Sequence, residues 1–419
     1  MDVRILKVSL VLMGLALSSC GQPAKFANAT ESLKSASCVS ATAITSEVIV
    51  EWESGEITLE KVNDIEKFKE EFVRPQIQYI KQVQYNQMVK THDSEVSENA
   101  FFGNDNNWGQ GSTQVQQLWD KGIYGKDVLI GVVDAFVDDT HPQLSKRIAY
   151  NFSDSTMDGK DNDNNGEVDD FRGLDITNDG YVKDTQGNVV QLPNAHGTHV
   201  SGVIAGEHGT NGVKGIAPQA KIIIGSFLDH KGSGNLEGAL RAVQYVAGRG
   251  AKVINASWGV ADCAPILASV VAKLDQKGIM FIAASGNNGQ NLDYNYNVPS
   301  SFRLPRQINV GAHSIDNFMT GFSNFSETIV HLTAPGEMIY STVPGNSWGN
   351  MTGTSMAAPF VTGITALLRG AFPSADSLQI KKAILESVDV IPNKESRTIT
   401  RGQINAAKAY DRLKLIVNQ

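Results

Sequence analysis

A serine hydroxyl becomes a useful nucleophile only when a neighbouring imidazole takes its proton. That imidazole in turn needs a carboxylate to hold its tautomer and to stabilise its charged form. Three short islands of this chain each offer one member of such a relay. Val132-Val133-Asp134 ends an apolar run, and Asn194-Ala195-His196-Gly197-Thr198-His199 carries two histidines. Gly353-Thr354-Ser355-Met356-Ala357-Ala358-Pro359 sets a serine among small residues. The small residues let a helix start tightly against a sheet, and Pro359 is expected in its first turn, where a missing N–H is tolerated. Ser355 would then sit at a helix N-terminus, where free N–H groups and the dipole favour a developing oxyanion. His196 and His199 lie three apart on one helical face, but no helical Glu completes a zinc-peptidase pattern. His196 must be neutral to accept a proton, so activity is expected to fall in acid.

Residues so far apart in sequence need rigid elements to bring them together. The run Val128-Leu129-Ile130-Gly131-Val132-Val133 has the continuous apolar character of a strand buried on both faces. Further strands are expected over 221–227, 252–255, 279–284 and 308–311. Helical patterns alternate with them. The clearest is the one-face stripe Leu236, Ala239, Leu240, Val243, Val246 and Ala247, with Asn235 as N-cap and Gly250 just past its end. Such alternation predicts an α/β fold with a parallel sheet covered by helices on both faces. Functional residues should then stand at the carboxyl ends of strands, where Asp134 and the 284–287 turn fall.

In the order Asp134, His196, Ser355, the three islands resemble the subtilase family of serine peptidases. The resemblance runs from Trp108 to about Ala409 and includes Phe322-Ser323-Asn324, Ala334-Pro335-Gly336 and Gly402-Gln403-Ile404-Asn405-Ala406-Ala407. It implies a subtilisin-like three-layer fold around a mainly parallel sheet, and a serine endopeptidase that cleaves polypeptides through an acyl-enzyme. By resemblance Asp134, His196 and Ser355 form the triad, and His199 is structural. Ala283-Ala284-Ser285-Gly286-Asn287-Asn288-Gly289 resembles the oxyanion-hole segment and assigns Asn287, with Asn288 as the positional rival. Asn255-Ala256-Ser257-Trp258-Gly259 resembles one wall of the S1 pocket, and 283–286 the other. Their small residues suggest room for a large apolar side chain, while Trp258 reads equally as core. Gly232-Ser233-Gly234 resembles the edge that pairs with substrate backbone, so a peptide would dock as an added strand. The match departs after the aspartate, where Ala135-Phe136 replaces the usual small hydroxyl residue and glycine. That departure is the sole support for a rival reading, a surface binding protein that keeps the fold without turnover.

The 419 residues, 41% hydrophobic and 19% charged, suit a globular protein with a large core, and the net charge of −8 excludes a nucleic-acid partner. Three cysteines make no disulfide scaffold. Arg4 and Lys7 precede an apolar run from Val8 to Leu17, a signal h-region rather than a membrane span. Leu17-Ser18-Ser19-Cys20 resembles a bacterial lipobox. The expected organisation is a lipoprotein signal peptide over 1–19, a tether lipidated at Cys20 over 20–46, a small α+β segment over 47–103 and the peptidase domain over 104–419. An ordinary secretory signal with an incidental Cys20 is the alternative. Lipidation would place the protein in the cell envelope, held on the membrane by acyl chains. The strand–helix–strand pattern of 47–103 resembles the family's inhibitory pro-segment, and a small structural module that is never removed is the alternative. If the segment is cleaved near residue 100, a Cys38–Cys263 disulfide would keep the enzyme tethered.

Between the Asp and His islands lies an insert dense in oxygen ligands. Asp161, Asp163, Asn165 and Asp169 occupy positions 1, 3, 5 and 9 of an EF-type loop, with Gly166 at position 6, but Arg172 takes position 12 in place of a bidentate Glu. Many subtilases carry a similar insert and bind calcium there, so a structural Ca²⁺ is expected. The alternative is a solvated acidic loop.

Overall fold

The computed structural model describes residues 42–91, 106–177, 193–209, 213–260, 264–391 and 396–418, and the backbone of 182–183 and 189–191. Cys20, Cys38 and Cys263, and with them the lipobox and the expected disulfide, lie outside the described residues. Among the described residues no helix is long and apolar enough to cross a membrane.

An N-terminal module comes first. It pairs β1 (Ala43–Trp52) with β2 (Ile57–Lys61) and with the twelve-residue β3 (Ile80–Thr91), all antiparallel. The expected tether therefore ends before residue 46, because β1 already starts at Ala43. Short helical turns over 65–76 pack Phe68 and Phe72 against a small core of Val48, Val50, Val73, Ile80 and Val83. The helical part of this module begins only at Ile65, since Ile57–Lys61 alternates well enough to pair as a strand.

The remainder is organised by a nine-stranded sheet. Its strands are β4 (Leu129–Asp134), β5 (Leu174–Asp175), β8 (Lys221–Ser226), β10 (Val253–Ala256), β12 (Met280–Ala284), β13 (Gln307–His313), β14 (Leu332–Pro335), β17 (Asp389–Val390) and β18 (Gly402–Gln403). Between β5 and β8 lies a small antiparallel pair, β6 (Val182–Lys183) and β7 (Val189–Gln191). Two short strands at the cleft are β9 (Ser233–Asn235) and β11 (Trp258–Gly259), and a hairpin joins β15 (Ile339–Val343) to β16 (Ser347–Met351). The large sheet runs β17-β18-β14-β13-β12-β10-β4-β8-β5 and is parallel throughout except at β17–β18.

Alternation along the buried strands feeds two separate cores. Ile130, Val132, Val253 and Ile282 face one way, against α1 (His196–Ala205) and α4 (Thr354–Ala371). Val133, Ile254, Phe281 and Ala283 face the other way, against α2 (Leu236–Gly248) and α3 (Pro265–Gln276). The first core also takes in α5 (Ser377–Leu385) and α6 (Ala406–Val417). At about 1.5–3 kcal/mol per fully buried Val, Leu or Ile, these two faces supply the main drive for the three-layer arrangement. Asn235 caps α2 as its sequence implies, accepting from the Gly238 N–H at 2.8 Å. The parallel three-layer α/β architecture expected from the sequence is the one observed.

Candidate active site

Asp134 is the last residue of β4 and is buried. Its Oδ1 meets His196 Nδ1 at 2.6 Å and accepts the Ala135 N–H at 2.7 Å. His196 opens α1, where Asn194 Oδ1 accepts its backbone N–H at 2.8 Å. The carboxylate fixes the imidazole with Nδ1 protonated, which leaves Nε2 as the basic nitrogen. Nε2 is buried and has no partner among the described residues, and the same holds for Asp134 Oδ2. Ser355, second residue of α4, donates its hydroxyl to the Ser257 carbonyl at 3.0 Å. Pro359 is the sixth residue of that helix, so it falls in the second turn and not the expected first.

Asn287 follows β12 beside the start of α4. Its Oδ1 accepts from the Thr354 N–H at 2.9 Å and the Thr354 hydroxyl at 2.8 Å. The rival Asn288 is exposed, and only its backbone is fixed, by Asn324 Oδ1 at 3.1 Å. Asn324 braces the whole turn. Its Nδ2 donates to the Ser285 carbonyl at 2.9 Å, and its Oδ1 also accepts from the Gln290 N–H at 2.8 Å. Asn297 Nδ2 reaches the same Ser285 carbonyl at 3.1 Å. Gly286 has φ +102°, and a Cβ there would strike both amide nitrogens, so only glycine fits.

His199 is fully buried and bonds the carbonyls of Ile339 at 2.8 Å and Gly349 at 3.2 Å, tying α1 to the β15–β16 hairpin. Burial pushes its pKa down to about 3, so it stays neutral.

The substrate-binding segments are brought together by the N-terminal module. β3 lies between β9 and β11, antiparallel to both. Val89 pairs with Gly234, Lys90 with Ser233 and Gly259, and Thr91 with Trp258. The Thr91 N–H donates to the Gly232 carbonyl at 2.8 Å, and Gly232 turns there at φ +67°. Trp258 contributes backbone alone. Its indole is fully buried, donates to the Val133 carbonyl at 2.9 Å and packs edge-on to Phe227, so the core reading of this residue is the correct one. Beside Asn287 a cavity of about 310 Å³ is lined by Gly259, Val260, Asn288, Tyr296 and Asn297. Thr42, Met88, Lys90 and Thr91 of the N-terminal module close it from the other side.

The acidic insert is held by N–H donors. Asp161 accepts from the Asn165 and Gly166 N–H groups at 3.1 and 2.9 Å, and Asp169 from those of Asp158 and Gly159 at 3.0 and 3.1 Å. The Asn165 amide bridges Asp163 and Asp170 at 3.2 and 2.9 Å. Among the described residues no three His, Cys, Asp or Glu converge on a metal position. Arg172 instead turns toward Asp139 at 3.3 Å.

The sequence does not announce the roles of the Thr354 hydroxyl, the Ser257 hydroxyl, Asn297 or the bracing amide of Asn324. Thr354, Ser257 and Asn324 each stand in a segment that resembles the family, whereas Asn297 stands in none.

The sequence profile of the subtilase family matches residues 125–408. A thermophilic serine proteinase of Bacillus sp. strain AK1 is 34% identical over 290 residues, 68% of this chain and 62% of that protein. The major intracellular serine protease of Bacillus subtilis strain 168 is 32% identical over 256 residues, 60% of this chain and 72% of its own length. Among solved structures, fervidolysin from Fervidobacterium pennivorans, a keratinolytic enzyme related to subtilisin, aligns with a TM-score of 0.68 at 20% identity. That alignment covers 88% of this chain and 61% of fervidolysin.

Proposed function

The chain belongs to the subtilase family, and from that membership we propose that it is a serine endopeptidase that cleaves polypeptides with Asp134, His196 and Ser355 as its triad. The carrying observation is the 2.6 Å contact between Asp134 Oδ1 and His196 Nδ1, which leaves Nε2 without a partner among the described residues, on a helix packed against the one whose first turn carries Ser355. In the reaction the Ser355 hydroxyl leaves Ser257 and turns to His196 Nε2, which takes its proton as Oγ attacks the scissile carbonyl. Asp134 stabilises the imidazolium. Asn287 Nδ2 and the Ser355 N–H hold the oxyanion, a contribution of about 10²–10³ in kcat for one such side-chain donor. His196 then protonates the leaving amine, and water repeats the sequence on the acyl-enzyme. A fluorophosphonate probe tests this directly. Wild type should gain one adduct and clear casein, and Ser355→Ala should do neither. An unlabelled, trimmed wild-type chain would favour the binding-protein reading.

We read the N-terminal module as an intramolecular inhibitor. β3 fills the space between β9 and β11 that a substrate strand would take, and this supports a zymogen. Intact mass then distinguishes the two states: an active, labelled chain should have lost the module, and a full-length chain should resist the probe.

Two further readings rest on sequence. Lipidation at Cys20 would anchor the exported protein in the cell envelope, with release after processing. Metabolic labelling with a fatty-acid analogue that is lost in Cys20→Ala is its test. The acidic insert is proposed to take a structural Ca²⁺. Turning the Asn165 and Asn151 amides over would present oxygens beside Asp163 where N–H groups now lie, and the Asp161 bonds to the loop backbone already set its curvature. Chelation should lower the melting temperature of the Ser355→Ala protein, and Asp163→Asn should abolish that response.

A further inference from the structure

A proline inside a helix leaves one carbonyl without its partner. Pro359 has no N–H, so the carbonyl four residues earlier, that of Ser355, loses its intrahelical bond. Ser355 is fully buried, so water cannot replace that bond. The Ser257 hydroxyl does so instead, donating to the Ser355 carbonyl at 2.9 Å. Ser257 Oγ accepts in turn from Asn255 Nδ2 at 2.9 Å, and Asn255 Oδ1 accepts from the Thr362 hydroxyl at 2.8 Å. All four residues are fully buried. Thr362 is one turn beyond Ala358 on α4, so the relay leaves the helix at the nucleophile and re-enters it two turns on. The Ser355 hydroxyl returns the contact by donating to the Ser257 carbonyl.

We propose that Ser257 is a positioning residue for Ser355. Its hydroxyl, aimed by Asn255, takes the place of the helix bond that Pro359 cannot make, and so fixes the backbone from which the nucleophilic side chain projects. The inference rests on Ser355 being the nucleophile. A serine needed only to satisfy a buried carbonyl would affect stability; a positioning residue must also affect the rate at which Oγ reacts.

The experiment measures fluorophosphonate labelling rate, kcat and KM on a peptide substrate, and melting temperature. It compares wild type, Ser257→Ala, Ser257→Thr, Pro359→Ala and the Ser257→Ala/Pro359→Ala double variant. Ser257→Ala should slow labelling and kcat together by about 10–100-fold with KM within about twofold, as expected when reacting groups are misplaced. Ser257→Thr keeps the hydroxyl and should recover most of the labelling rate that Ser257→Ala loses. Pro359→Ala returns the missing N–H, so removing Ser257 in that background should cost about threefold or less. The double variant also has its carbonyl satisfied, which keeps the comparison possible if Ser257→Ala alone does not fold. Wild-type labelling in Ser257→Ala with a lowered melting temperature would overturn the proposal, as would an undiminished Ser257→Ala effect in the Pro359→Ala background. No labelling of the processed wild type would instead remove Ser355 as nucleophile, and this proposal with it.

Discussion

The carboxamide oxygen of Asn287 is held from two sides by Thr354, through the backbone N–H at 2.9 Å and the hydroxyl at 2.8 Å. With its oxygen so engaged, the amide can present only Nδ2 to an oxyanion. The Thr354 hydroxyl also accepts the Gly286 N–H at 3.0 Å, so one side chain ties the turn to the helix that carries Ser355. Thr354→Val removes both hydroxyl contacts and keeps the branched shape. Its kcat should fall about tenfold with KM little changed, which is the scale of one lost hydrogen bond of about 1–1.5 kcal/mol. Thr354→Ser should remain close to wild type. Equal losses in kcat for both variants would mean that packing, not the hydroxyl, matters here.

Docking of the N-terminal module depends on one buried acid. Glu51 is fully buried at the seam with α3, where Oε1 accepts from Lys81, Lys273 and Ser269, each at 2.9 Å, and Oε2 accepts from Gln82 at 3.0 Å. Burial raises the carboxyl pKa, but hydrogen bonds from Lys273, Lys81 and Ser269 outweigh it and hold the group below the usual carboxylate range. Its contribution is thus present above the ordinary carboxylate pKa and is lost as pH falls through the lower folded value. Glu51→Gln leaves two ammonium groups facing a neutral amide. On the zymogen reading this variant should become active sooner after folding than wild type, in a time course of peptide cleavage at neutral pH. An unchanged lag would place the docking energy elsewhere, for example at Gln84, which accepts the Ile266 N–H that opens α3.

That seam also marks where the sequence stopped being readable. β4, β10 and β12 were legible because both faces of each strand meet apolar layers, which leaves unbroken hydrophobic runs. β3 has no such run. Past Val83 it carries Gln84, Asn86 and Gln87, all buried, because its later partners are a helix N-terminus and the cleft edges. Polar residues satisfied by distant backbone leave no periodic trace. The same holds for the site. Asp134, His196 and Ser355 stand in local motifs, whereas Ser257, Thr354 and Asn324 act through contacts across 98, 67 and 39 positions. The direction of the Trp258 indole follows from the Val133 carbonyl beneath it, which no local pattern announces.

Two histidines away from the reacting groups set a lower pH limit on the fold. His199 and His313 are fully buried, and burial holds each pKa down to about 3 against an ordinary 6.5. Between those values the unfolded chain binds more protons than the native one, so stability rises with pH and is lost progressively as pH falls below 6.5. Each proton is worth about 1.4 kcal/mol per pH unit at most. Urea midpoints of the Ser355→Ala protein should therefore drop as pH falls from about 7 to about 5. His313→Gln, which keeps polar contact with Ser112 and Thr333, should show a shallower drop. Parallel profiles for the two proteins would remove His313 from the linkage.

The departure at Ala135 has a chemical consequence at the carboxylate. Asp134 Oδ1 takes both available donors, His196 and the Ala135 N–H, and Oδ2 is buried with none. A hydroxyl residue at 135 would offer the donor that Oδ2 lacks. A second donor would hold the carboxylate, and through it the imidazole, in the orientation the relay needs. Ala135→Ser should therefore raise kcat, by at most about the tenfold that one hydrogen bond of about 1–1.5 kcal/mol is worth, with KM little changed. An unchanged kcat would show that Oδ2 is satisfied in solution by another donor and that Ala135-Phe136 is a neutral substitution at this site.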